Sequence, residues 1–396
     1  MDRCSAGGIR IEILSVTGIA NITSDHIYFE IKIFYKYLVM RLSIPVLFIS
    51  MIICINGITQ SNSNPSAAQT LFESDGILNI ALKGNIRELL NNRTGEAKSF
   101  PVIMRYHEKE ADEDSVSINI KTRGHFRRMK SNCDYPPLLL QFSKNARVSN
   151  PVFSKQSKLK LVMPCKGEEF VVHEWLVYKL YNIISPFSYR ARLVRVTLKD
   201  ESRKKSTGPF YGILLEEEKQ MSERNNMILV KRKMRPQQTK KEDFLRMAVF
   251  EYLIGNTDWS VEYLQNINLV APDSLSLPIT VPHDFDLAGI VNSPYAMPAE
   301  ELQMNSVQER RYRGYCVRDI TDFDSTIAFY NSKKKDIYDL YSGCTLLEEK
   351  YIKTTLKYLD DFYSIINNPK KVKNEFGYPC DPNGTGNVIL KGLKEE

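Results

Sequence analysis

The sequence predicts an α+β protein whose first half is rich in strands and whose second half is rich in helices, with the change near residue 220. Three stretches carry that expectation. Ser115–Arg123 (SVSINIKTR) alternates apolar and polar residues as a half-buried strand does. Glu169–Ile184 sets Val172, Trp175, Leu176, Leu180 and Ile183 three or four apart, so they form one stripe of a helix that stops before Pro186. Thr345–Asn367 repeats that period on Tyr351, Thr355, Tyr358, Leu359 and Phe362. At 396 residues, 43% hydrophobic and 26% charged, the chain is globular in composition and long enough for one large domain or two ordinary ones.

The remaining elements follow in order. Phe100–Tyr106, Leu138–Phe142 and Ser157–Met163 read as strands, and Leu193–Lys199 and Phe210–Glu216 bracket the polar loop DESRKKSTG. Leu245, Ala248, Val249, Tyr252 and Leu253 mark a helix that begins at Asp243 and takes Gly255 as its C-terminal cap. Leu264–Ala271 and Leu277–Val281 are short strands separated by a Pro-Asp-Ser turn. No internal repeat is visible. The expected organisation is a linker and N-terminal extension over 61–99, a β-rich part over 100–219 and a helical part over 220–396.

The N-terminus reads as a targeting segment. Arg41 precedes the uncharged apolar run Leu42–Ile58, and the polar stretch TQSNSNPSAAQ follows it. That pattern describes a secretory signal peptide over 40–60, with a single membrane anchor as the alternative, and Met40 marks 1–39 as an upstream extension without structural role. The protein is therefore expected outside the cytoplasm, secreted or in the periplasm or cell envelope, with membrane contact only if the apolar segment is retained. In an oxidising compartment disulfides are expected, and Cys133–Cys165 and Cys316–Cys344 are the proposed pairs, leaving Cys380 over. The net charge of +7 comes partly from Arg203-Lys204-Lys205, Lys231-Arg232-Lys233 and Lys333-Lys334-Lys335. These clusters read as solvated loops able to attract acidic or phosphate-rich partners, and no nucleic-acid signature accompanies them.

The chemistry-bearing residues come in five pieces. A glycine between arginines, Thr122-Arg123-Gly124-His125-Phe126-Arg127-Arg128, ends a strand. Lys158 and Lys160 share one face of the next strand but one, and the helix after them carries Glu174. Gly255-Asn256-Thr257-Asp258 closes a helix, and Asn266 follows eight residues after Asp258. Asp284 and Asp286 flank Phe285 directly after a strand, where a two-residue spacing turns both carboxylates the same way and a cation between them would relieve their repulsion. Phosphoryl transfer uses such a set: cations for the phosphates, an acid to orient the lysine, an aspartate to take the hydroxyl proton, and hard oxygens for Mg²⁺.

In order and local wording, RGHFR, KLKLV with its following acidic helix, YGILLEEE, GNTD and PHDFDLAG resemble the CotH-type family of secreted or spore-coat protein kinases, over about residues 100–300. The resemblance implies a bilobal, atypical protein-kinase-like fold with a β-rich N-lobe and a helical C-lobe. It implies ATP and Mg²⁺ as cofactors, and a protein or other hydroxyl-bearing acceptor. It makes Lys160 the phosphate-binding lysine with Lys158 as fallback, and Glu174 its partner. Arg123 and Arg127 stand over the phosphates, and Glu216 lies at the hinge beside the adenine. Asp258 becomes the catalytic aspartate, Asn266 and Asp284 metal ligands, and Asp286 a second metal ligand.

Departures are visible too. There is no H-R-D and no G-x-G-x-x-G, the Asp258 to Asn266 interval is longer than the ordinary catalytic loop, and His283 precedes Asp284 where the family has Tyr or Trp. The alternative function is a non-catalytic binding or scaffold protein of the cell envelope. His173-Glu174 lacks the second histidine of a zinc protease, and G-x-S-x-G and Walker A sequences are absent.

Overall fold

The protein is described by a computed structural model covering residues 70–108 and 113–382. The apolar run at 42–58, Cys4 and Cys54 lie outside the described residues. Seven strands, β1 (Leu78–Gly84), β2 (Phe100–His107), β3 (Asp114–Thr122), β4 (Leu138–Gln141), β5 (Lys158–Val162), β6 (Ala191–Asp200) and β7 (Lys205–Leu215), close into a barrel in the order β1-β2-β3-β4-β5-β7-β6. Their neighbours are antiparallel except β1 and β6, which run parallel from Leu78↔Val194 to Gly84↔Asp200 and seal the wall. Closure removes the unpaired sheet edges that an open sheet would expose. Short helices α1 (Ile86–Asn91) and α2 (Lys144–Ser149) sit between strands, and α3 (Glu169–Ile184) follows β5.

Period-2 alternation fills the barrel. Leu78, Ile80 and Leu82 of β1 meet Val102 and Met104 of β2, Ile118 and Ile120 of β3, Leu159 and Leu161 of β5, and Val194 and Leu214 of β6 and β7 in one buried cluster. The wall formed by β5, β6 and β7 is apolar on both faces. Its outward residues Val162, Ala191, Leu193, Ile213 and Leu215 belong to a second core, which runs through Trp175, Leu176 and Leu180 of α3 into the rest of the chain. That remainder holds α4 (Glu218–Arg224), β8 (Ile228–Leu229), α5 (Lys241–Ile254), β9 (Ile267–Ala271), β10 (Ile279–Pro282), α6 (Asp324–Ser342), α7 (Glu349–Ile366) and α8 (Pro369–Phe376). Strands β10, β9 and β8 form a small antiparallel sheet in that order.

The expected bilobal kinase-like architecture is corrected by this arrangement. The β-rich half is a closed mixed barrel, not a kinase-type N-lobe sheet, and the second core joins the barrel wall to the helices without a break. The difference arises from β1, which lies inside the stretch read as a linker. Its parallel pairing with β6 is a contact between distant residues that leaves no local pattern in the sequence.

Two disulfides are described. Cys133–Cys165 forms as expected, with Cα atoms 4.3 Å apart. Cys316 pairs with Cys380, Cα–Cα 4.6 Å, and not with Cys344, which is itself disulfide-bonded. The rings of Tyr312 and Phe323 pack on Phe376 at 5.0 and 4.9 Å, and this contact folds the end of α8 back so that Cys380 reaches Cys316. Such bonds belong to an oxidising, extracellular environment. Among the described residues no helix is long and apolar enough to cross a membrane.

Barrel closure through β1 makes a specific demand. Ile80→Ala, fully inside the barrel, is expected to lower unfolding free energy by about 2–5 kcal/mol in urea titration. Lys83→Ala, on the outer face with an exposed pair to Glu201, is expected to change it by less than about 1 kcal/mol. Equal effects would contradict the sealing role of β1.

Candidate functional site

The site starts at the end of β3. Gly124 takes a left-handed conformation (φ 80°), and the chain then makes a single 3₁₀ turn over Phe126–Arg128. Several bonds pin that turn. Arg128 donates to the carbonyl of Gly95 (2.7 Å) and to Thr122 Oγ1 (3.1 Å), Asn132 donates to the carbonyl of Phe126 (2.9 Å), and the Cys133–Cys165 bond ties the loop to the chain just beyond β5. Arg127 is thereby aimed inward. Its Nη2 donates to the carbonyl of Met163 (2.9 Å), and its Nη1 stands 3.6 Å from Glu174 Oε2 and 3.3 Å from Asp286 Oδ2.

One guanidinium thus serves several acids. Burial alone disfavours the charge of Arg127, but Tyr295, Asp286, Glu174 and Asp284 together hold it above the ordinary arginine value. Glu174 moves the opposite way from what a simple pair would give. Its burial, with Asp286 and Asp284 adding, raises it, while Arg127 opposes. The two directions agree once charges are counted, because one cation cannot neutralise three carboxylates and the surplus falls on the most buried acid. Asp286 is raised by burial and by Asp284, against the pull of Arg127 and the hydrogen bond from Tyr295 (3.0 Å).

The Asp-Phe-Asp segment is not a strand. Strand β10 ends at Pro282, and Asp284 adopts φ 64°, a left-handed conformation that turns it to solvent while Phe285 plunges into the core against Tyr178 (4.8 Å) and Phe250 (5.7 Å). Asp284 is anchored through its N–H, which donates to Tyr178 Oη (3.0 Å). Asp286 faces the buried Arg127. The expectation of two carboxylates presented alike from a strand end is corrected: one is open and the other is already engaged.

The Asp258 loop grows from the end of α5. Gly255 caps the helix at φ 68°, and a Cβ there would meet Tyr358 Oη at 2.2 Å. Asn256 Oδ1 accepts from the N–H of Asp258 (3.0 Å), Asn266 Nδ2 donates to Asp258 Oδ2 (3.0 Å) and to its carbonyl (2.8 Å), and Gln265 donates to Oδ1. Burial, with Asp284 adding, pushes Asp258 up to about 6, opposed by Asn266 and Arg313. Past the end of the β9–β10 pairing, the N–H of His283 donates to the carbonyl of Asn266 (2.9 Å), so Asn266 and Asp284 are held at one end of the small sheet.

Lys160 completes the cluster. It sits on the outer face of β5, opposite Leu139 and Leu215. Burial and Arg123 lower its pKa, whereas Asp284, Glu218 and Glu217 raise it. Neither Lys160 nor Arg123 forms a salt bridge among the described residues. Glu174 pairs with Arg127 and not with Lys160. Lys158 lies exposed two residues away, at the barrel surface. Glu216 is buried at the end of β7, but its two oxygens are taken by Arg224 (2.9 and 3.0 Å) and the N–H of Arg190 (2.9 Å), so its side chain offers nothing to a ligand. Among the described residues no three His, Cys, Asp or Glu side chains are grouped to hold a metal by themselves.

No family model matches the chain, and no curated protein matches it either. Several residues that shape the site lie outside the motifs read from sequence. Tyr178 and Tyr295 have no sequence signal, being aromatic residues among 21 tyrosines. Glu251 had one: an acid inside an otherwise apolar helical stretch. Both its oxygens are buried and make none of the hydrogen bonds described, and Asn256, the residue that holds Asp258, is the polar group that eases its charge.

Burial, opposed by Asn256 and reinforced by Asp258, raises Glu251 well above the ordinary carboxyl value. The unfolded chain loses this proton above about 4.5 while the folded chain keeps it, so folding stability falls as pH rises past that point. Glu251→Gln removes the penalty. The variant is expected to gain about 1.4 kcal/mol per pH unit over wild type above that value, until Glu251 itself ionises, and to show no gain at pH 4. Denaturant titrations at pH 4 and 7.5 check this. The Cys133–Cys165 bond is expected to matter locally, since Cys133→Ser with Cys165→Ser frees the Arg127 turn and should lower the melting temperature by several degrees.

Proposed function

We propose that the chain is an exported phosphotransferase that moves a phosphoryl group from Mg-ATP to a hydroxyl of a protein or other acceptor, the activity implied by its resemblance to CotH-type secreted kinases. One observation carries the reading: Lys160, on the outer face of β5, is lowered by burial and by Arg123, and neither cation has a salt bridge among the described residues, beside the open carboxylate of Asp284. Two mutually repelling cations are worth holding together when an anion with several charges binds between them.

The donor set fits a hard cation. Asn266 uses its Nδ2 on Asp258, which leaves Oδ1 as an acceptor, and the carboxylate of Asp284 faces outward at the same end of the sheet. Asn266 and Asp284 would hold Mg²⁺, which when bound neutralises phosphate charge and needs few protein ligands because it keeps much of its water. Asp286, engaged by Arg127 and Tyr295, supports the site from behind. Lys160 and Arg123 bind and orient the donor phosphates. Asp258, with its pKa raised toward neutrality, takes the proton of the acceptor hydroxyl as the acceptor oxygen bonds to the transferred phosphorus. The bond from phosphorus to the β-phosphate oxygen breaks, and ADP leaves.

A non-catalytic envelope protein that binds anions is the second reading. It is favoured by the hydrogen bonds on both oxygens of Asp258, which tie up the proposed base.

Calorimetry with Mg·ATP and a phosphate-transfer assay separate the two. Asp284→Ala is expected to abolish metal-dependent nucleotide binding. Asp258→Ala is expected to keep binding and to lose about 10²–10⁴-fold in transfer rate. Equal Mg·ATP affinity in wild type and Asp284→Ala would sink the phosphotransferase reading, and binding without transfer to any acceptor would leave the second.

A further inference from the structure

The basic segment Lys231-Arg232-Lys233-Met234-Arg235 has no role in the site described above, although it borders that site. Strand β8 pairs with β9 antiparallel, and past it the N–H of Val230 donates to the carbonyl of Leu269 (2.8 Å). The chain therefore travels along β9 toward its first residues, where Asn266 lies. Met234 is buried in the second core, with Leu229 and Val230 packed against it, so the segment is pinned on both sides of its bases. Lys231, Arg232, Lys233 and Arg235 are all exposed.

Their partners are few. Lys231 stands 3.9 Å from Glu218 in an exposed pair, and Lys233 lies 5.5 Å over the ring of Tyr263. Arg232 and Arg235 form no salt bridge among the described residues. Tyr263 belongs to the loop between Asp258 and Asn266, which is closed by mutual backbone bonds between Ser260 and Gln265 (3.0 and 2.9 Å). Lys233 thus touches the loop that presents Asp258. Glu218 is the acid paired with this segment among the described residues.

An ordinary explanation is available: lysines on an edge strand discourage pairing with other chains. It accounts for a charge or two, but not for four bases on an anchored segment that turns toward one loop. The interior of the site is acid-rich, with Glu174, Asp258, Asp284 and Asp286. An acidic acceptor would be repelled there unless cations at the entrance held it, and complementary charge at a rim acts mainly on encounter and selection.

We infer that Lys231, Arg232, Lys233 and Arg235 form a docking surface for an acidic polypeptide, whose hydroxyl-bearing residue is thereby led to Asp258; this rests on the phosphotransferase reading. The test uses the full chain with three fluorescent probes of equal length: a serine-containing glutamate-rich peptide, its lysine-rich counterpart and a single-stranded oligonucleotide. Anisotropy at low salt is expected to rank the acidic peptide at least about tenfold tighter than the basic one, with the preference fading at high salt. Lys231→Glu/Arg232→Glu/Lys233→Glu is expected to reverse the ranking while Mg·ATP affinity, read by calorimetry, stays unchanged. The milder Lys231→Ala/Arg232→Ala should weaken acidic-peptide binding in the same sense if the triple variant does not fold. Equal or tighter binding of the basic peptide, tighter binding of the oligonucleotide, or an unaltered ranking in a folded variant overturns the docking surface alone. Absence of Mg·ATP binding in the wild type overturns the phosphotransferase reading, and the acceptor inference with it.

Discussion

The guanidinium of Arg127 joins four parts of the chain at one point: the turn after β3, the end of β5 through Met163, the helix α3 through Glu174, and the segment after β10 through Asp286. Burying ionised acids without such a cation is costly, and removing one partner of a buried ion pair typically costs about 3–5 kcal/mol because the remaining charge has no water to turn to. The pair itself is not a net source of stability on that scale. Its consequence is geometric. The position of the Asp284 turn relative to the barrel is set by a rigid fork whose own base is clamped by Arg128, Asn132 and the Cys133–Cys165 bond.

Local chemistry made much of the fold legible. The strand at 115–123 and the helix over Glu169–Ile184 follow from periodicity, and the cap at Gly255 follows from the positive φ that its position demands. What stayed hidden is non-local. The parallel seam between β1 and β6 joins residues more than a hundred positions apart, and β1 is a seven-residue strand beside a polar stretch. Helix α6 was hidden for another reason: its buried positions are Thr326, Tyr330, Ile337, Leu340 and Tyr341, a stripe diluted by hydroxyls and flanked by Lys333–Lys335. Disulfide pairing shows the same divide. Cys133–Cys165 joins neighbours along the barrel wall, whereas Cys316–Cys380 depends on aromatic packing around Phe376.

Within the site, residue types were readable and partnerships were not. The sequence places Lys160, Asp258, Asn266 and Asp284 in order, and the structure couples Asp284 electrostatically to Lys160 and Asp258. Glu174, however, answers to Arg127, and Asp286 does likewise, because a left-handed residue at Asp284 rotates the following carboxylate into the interior. A spacing of two predicts common orientation only while the backbone remains extended. Glu216 illustrates the complementary failure, since its position beside β7 was foreseeable but Arg224, which occupies its carboxylate, stands eight residues further on in a separate helix.

Two groups of charged side chains share Asp284. Around Arg127, acids outnumber bases, and Glu174 and Asp286 are raised by burial in consequence. Around Lys160, burial and Arg123 lower the lysine, although Asp284, Glu218 and Glu217 raise it. Asp284 acts on both groups, yet it is exposed and its carboxylate makes no hydrogen bond among those described. Under the proposed phosphotransferase reading, a ligand that carries both signs would serve both groups: anionic oxygens for Lys160 and Arg123, and a divalent cation for Asp284 and Asn266. On that reading a metal-bound polyphosphate is a ligand of matching composition.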